Sequence, residues 1–124
     1  MSLQAYQHAS QRAENPRETE YRLFAEVTRA LMEAARADRG DLKARVTALD
    51  WNRRLWAALA ADCASPHNRL PEGTRASIIS LSLFVSRQTS QTIRNQGDLD
   101  LLIEVNRSIM QGLTPGGAPT AQAA

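Results

Sequence analysis

The sequence predicts an all-α fold: a small antiparallel helical bundle of four main helices plus an N-terminal helical segment. Three observations carry that expectation. Ala, Leu and Arg dominate while aromatics supply only 5% of the 124 residues, a mix that favours helix over strand. Apolar residues recur at three- and four-residue spacing in successive stretches. Pro, Gly and short Asn or Asp motifs fall between those stretches, where helices begin and end.

Each element has its own signals. Leu3 to Ala13 carries a weak Tyr6, Ala9, Ala13 stripe, read as a short helix or an arm. Asn15-Pro16 then starts the first main helix. Asn15 suits an N-cap, Pro16 the first helical position, and Glu18 the place from which a capping-box acid reaches back. This helix is expected to run to Asp38 or Arg39 and to end on Gly40 in the left-handed conformation. Its broad apolar face holds Tyr21, Leu23, Phe24, Val27, Thr28, Leu31, Met32 and Ala35. Arg22, Glu26, Arg29, Glu33 and Arg36 occupy the opposite side at helical spacing. They are expected to form solvated ion pairs of about 0.2–0.5 kcal/mol each.

Asp41 is expected to cap a second helix, Leu42 to about Ala64, with Leu42, Val46, Leu49, Trp56, Ala60 and Cys63 on one face. Asn52 and Arg53 intrude on that arc, while Trp51 and Leu55 fall on the far side. After a Ser65-Pro66-His67-Asn68 turn, Pro71 opens a third helix. Its Ser-Leu alternation from Ser80 would also fit a strand, but a lone strand among helices has no pairing partner. Ile78, Ile79, Leu81, Leu83, Phe84 and Val85 spread around the whole wheel, which predicts burial on most sides. Gly97-Asp98 leads into the last helix, Leu99 to Leu113. Leu101, Leu102, Val105, Ile109, Met110 and Leu113 form its face, with Asn106 in the middle. Residues 114–124, rich in Pro, Gly and Ala, are expected to be a disordered tail, leaving a single helical domain over 1–113.

Composition and spacing narrow the function. The formal net charge is +2, and fourteen of the fifteen cations are Arg. They alternate with acids rather than cluster, so no direct nucleic-acid partner is expected. No apolar run is long enough to span a bilayer, which predicts no membrane partner and a cytoplasmic location. His8 and His67 have no second ligand at metal-binding spacing. Cys63 sits among Trp56, Leu59 and Ala60 as an inert core thiol, and no glycine-rich phosphate loop is present. A non-enzyme without catalytic residues, metal or cofactor is therefore expected. Asn52, Arg53 and Asn106 admit two readings: an internal polar network that fixes helix register, or the lining of a groove that holds a bound helix. Trp51 and Leu55 either contact another helix or form an exposed apolar patch.

Four stretches carry a resemblance. They are Ser10 to Ala35, with Pro16-Arg17-Glu18-Thr19-Glu20-Tyr21-Arg22-Leu23-Phe24; Ala48 to Cys63, with Asp50-Trp51-Asn52-Arg53-Arg54-Leu55-Trp56; Asn68 to Arg87, with Leu70-Pro71 and Arg75-Ala76-Ser77-Ile78-Ile79-Ser80-Leu81; and Leu102 to Leu113, with Val105-Asn106-Arg107-Ser108-Ile109-Met110. In these the chain resembles the flagellar biosynthesis regulator FlaF family of alphaproteobacteria. The resemblance implies a cytoplasmic flagellum assembly factor that promotes flagellin synthesis and export. One route is a secretion chaperone that binds a terminal amphipathic helix of flagellin. The other is a post-transcriptional regulator of flagellin message acting with or against FlbT. By this resemblance the partner-binding residues are Trp51, Asn52, Arg53, Arg54, Trp56, Asn106 and Arg107; the chain is expected to be a monomer or a weak homodimer, the latter through Trp51 and Leu55.

Overall fold

In the computed structural model, residues 16–38, 40–95 and 97–113 are described. They form four α-helices: α1 (Pro16–Arg36), α2 (Leu42–Ala64), α3 (Glu72–Asn95) and α4 (Asp100–Leu113). No strand occurs among the described residues, so the ambiguous Ser-Leu stretch is helical within α3. The expected N-terminal segment, the Asn15 cap and the expected tail lie outside the described residues.

The connections show local chemistry at work. Asp41 caps α2 by accepting a hydrogen bond from the Ala44 amide at 3.1 Å. Ser65 and Asn68 fold the α2–α3 turn: the Ser65 hydroxyl accepts from the His67 amide at 3.2 Å, and Asn68 Oδ1 from the Leu70 amide at 2.9 Å. Asp98 accepts from the Asp100 amide at 3.1 Å as α4 begins. Gly40 departs from expectation. Its backbone is not left-handed, and α1 has already ended at Arg36. The Asp38 carboxylate instead accepts from the Gly40 amide at 3.0 Å, so a side chain turns the corner that backbone freedom was expected to turn.

Helix α1 packs against both α2 and α4, and α2 packs against α3, whereas α3 meets α4 only lightly. Trp56 is fully buried near the centre, with the Phe24 ring edge-on at 5.4 Å and 83°. Val27, Leu31, Leu49, Val85, Leu99 and Leu102 complete the most buried apolar set. Each contributes about 1.5–3 kcal/mol by leaving water.

The buried stripes are rotated from those expected. In α2 the core positions are Arg45, Leu49, Asn52, Trp56, Leu59 and Cys63, spaced by threes and fours. Leu42 and Val46, placed on the core face by hydropathy, are exposed, because the polar Arg45 and Asn52 take the inward positions. In α1, Tyr21, Leu23 and Ala35 are likewise outside, and Ala34 is inside. Helix α3 is not buried on most sides. Only Ile78, Val85, Thr89 and Thr92 are buried, and Leu83 is 58% exposed. Apolar residues spread around the wheel with no charge among them, but one face meets α2 while the other, with Leu83, faces outward. In α4, Leu101 is exposed while Ile103 is buried, as is Leu99 just before the helix.

Candidate functional site

One polar chain runs through the core where α1, α2 and α4 meet. Trp56 Nε1 donates to Asn106 Oδ1 at 2.8 Å. Asn106 Nδ2 donates to Asn52 Oδ1 at 2.8 Å and to Thr28 Oγ1 at 3.1 Å. Thr28 Oγ1 in turn donates towards Met110 Sδ at 3.8 Å. The indole donor fixes the orientation of the Asn106 amide, since only its oxygen can face an N–H. Ser82 ties α3 to the same region by donating to the Trp56 carbonyl at 3.2 Å. Asn52 Nδ2 is buried and finds no partner among the described residues.

A second buried polar group holds the far end of the bundle. Arg45 is 4% exposed, and its Nη2 donates to the carbonyl of Gly97, between α3 and α4. A buried guanidinium requires helix-end carbonyls or a carboxylate. Arg53, which intrudes on the apolar arc in sequence, does find a carboxylate, Asp50, but it is exposed rather than turned inward. Arg45 meets the requirement. Its position four residues before Leu49 and seven before Asn52, on one stripe, was the available signal.

The residues expected to bind a partner thus divide. Asn52, Trp56 and Asn106 are buried together in the core. Trp51, Arg53 and Arg54 lie exposed on α2, with Trp51 at 42% exposure. Asp50 gathers both arginines, Arg53 at 2.6 Å and Arg54 at 2.9 Å. The hydrogen bond from Arg53 holds its carboxyl below the usual range, partial desolvation opposes this, and Arg54 reinforces it. Leu55 packs against the core cluster, so of that pair only Trp51 makes an exposed patch.

Arg107 belongs to a different feature, a groove of about 490 Å³ between α1 and α4. Ala25, Thr28, Met32 and Met110 form its floor, and Arg29, Glu33, Arg36 and Arg107 its rim. Arg107 pairs with Glu104 at 3.3 Å and directs Nη2 at Met32 Sδ, 3.8 Å away. The expected ion-pair ladder on α1 is absent at these positions: Glu26, Arg29, Glu33 and Arg36 form no ion pair among the described residues. Long exposed side chains lose rotamer entropy on pairing, about as much as the pair gains. The floor is joined to the polar chain beneath it through Thr28 and Met110. Hydrophobic periodicity sees Met32 and Met110 as core and the arginines as surface. Only packing shows that they border one depression.

Cys63 is buried on α2, and its thiol pKa is raised by desolvation, with the Asp62 and Glu20 carboxylates adding to the effect. No cluster of metal-binding side chains exists among the described residues. No helix among them is long and apolar enough to cross a membrane.

These features define a class: a small all-α bundle with a hydrogen-bonded polar core and a methionine-floored groove between two helices. Within that class, the family described as flagellar protein FlaF matches residues 2–113, and the chain belongs to that family. No curated protein and no solved structure gave a significant match. The family is, by its description, a flagellar one.

Proposed function

We propose that this FlaF-family protein binds flagellin directly and acts as its export chaperone, laying a terminal amphipathic helix of flagellin against the bundle. The observation that carries this reading is the open α1–α4 groove with its methionine floor, in a chain of a flagellar family. Methionine side chains are flexible and polarizable, which suits a seat for an apolar helix face. Covering that face would keep flagellin subunits from associating before export.

Mixing the protein with monomeric flagellin tests this, with complex formation read by size-exclusion chromatography and polymerisation by light scattering. A stoichiometric complex that delays polymerisation is expected. Flagellin that elutes alone and polymerises at its normal rate contradicts the reading. Association with FlbT instead would move the protein to control of flagellin message.

A further inference from the structure

We infer that the α1–α4 groove selects an amphipathic helix whose apolar stripe is flanked by carboxylates two turns apart. The inference deepens the chaperone reading and rests on it for the natural occupant. Three arginines and a single glutamate rim the groove. Arg29 and Arg36 form no ion pair among the described residues, so their charges are uncommitted. They are seven residues apart on α1, which is two turns and about 10 Å along the axis. Glu33 stands between them on the same rim.

A helix lying along α1 would therefore match this rim with acids at i and i+7, and with a neutral or basic residue between them. Arg107 supplies positive charge from the α4 side. Its guanidinium, now over Met32 Sδ, is held by one exposed bridge to Glu104 and is free to swing to an incoming carboxylate. Met32 and Met110 below would take the apolar stripe. Charge sets orientation and partner choice here, while the floor supplies contact area.

The test uses the full chain and two synthetic helical peptides of about 18 residues, long enough to cover the groove. Both carry the same leucine stripe. One has Glu at i and i+7, and the other has Lys there. The chain has three methionines, so ¹³C-methyl spectra report on Met32 and Met110 directly. The Glu peptide is expected to shift both methyls. Arg29→Glu with Arg36→Glu should weaken it by ~10-fold or more and turn the preference towards the Lys peptide. Arg87→Glu with Arg94→Glu, an equal charge change on exposed α3 positions, should leave binding unchanged.

Equal binding of the two peptides, or no shift at either methyl, overturns the inference. So does a single-stranded RNA that shifts the same methyls. Monomeric flagellin in the same assay separates this claim from the one it rests on. A Glu-peptide response with none from flagellin keeps the groove's selectivity and removes flagellin as its occupant. Flagellin binding that leaves Met32 and Met110 unmoved keeps the chaperone and overturns the groove. A circular dichroism melt of each variant checks that the fold is intact.

Discussion

Asn106 occupies a fully buried position where a bundle normally places leucine, and its cost is met by three hydrogen bonds. Asn106→Leu removes all three and leaves the Trp56 indole N–H buried without a partner. A loss of about 2–4 kcal/mol is expected, measured by urea unfolding. Asn52→Leu should cost less, about 1 kcal/mol, because Asn52 contributes one acceptor and its own Nδ2 is already unpartnered. If Asn52→Leu proves the more damaging, Asn106 is not the hub. Cys63 provides an independent residue-scale check. Burial and the nearby Asp62 and Glu20 raise its pKa, so the fold favours the neutral thiol. That contribution is present below the ordinary thiol pKa and lost as pH rises through the shifted value. Reaction with a disulfide reagent at pH 8 should be slow in the native protein and quicken at least ~100-fold on unfolding. Rapid native labelling would show the α2 end to be open.

At the scale of elements, the molecule rests on caps and on one long side chain. Asp41→Ala should destabilise by about 1 kcal/mol, read from the thermal melt, since the Ala44 amide loses its acceptor. Arg45→Leu removes the tie between α2 and the α3–α4 connection. Amide exchange should then accelerate at Leu102 and Ile103, in the first turns of α4, more than at Leu31 in α1. Equal acceleration in both helices would mean that Arg45 supports the whole core. Much of this scaffold was legible in the sequence. Asp41, the Ser65–Asn68 turn and Asp98 mark their helix ends because a local side chain satisfies a local backbone group, and Pro71 marks its own because its ring fixes the backbone at a helix start. The inward faces were less legible. Arg45 and Asn52 point in while Leu42 and Val46 point out, and hydropathy ranks each of these the wrong way. What decides them is a long-range partner, the Gly97 carbonyl for Arg45 and Asn106 for Asn52. Such pairings span 52 and 54 residues of sequence, so the stripe spacing of Arg45 and Asn52 hints at an inward position but does not reveal the partner.

For the whole molecule, three packed helix pairs and one light contact leave the bundle asymmetric. The α1–α4 side carries the arginine–methionine groove, and α2 presents Trp51 beside the Asp50–Arg53–Arg54 cluster. The family-like strings around Trp51 and Asn106 therefore mix two duties. Asn52, Trp56 and Asn106 build the core, and only Trp51, Arg53, Arg54 and Arg107 remain on the surface. The resemblance pointed to these residues as a set but gave no way to divide them, because burial is a property of the packed helices. The groove itself needed the structure, since it joins α1 residues to Arg107 and Met110 far along the chain. The central claim is that this bundle engages flagellin itself. Titration calorimetry of the protein into monomeric flagellin at ~50 and ~200 mM salt tests it most directly, because phosphate-driven binding collapses by ~10³-fold or more over that range. A saturable heat whose affinity falls by no more than about 10-fold at the higher salt is the result predicted, as expected of helix-in-groove contact with a charged rim. No heat at either salt would contradict it.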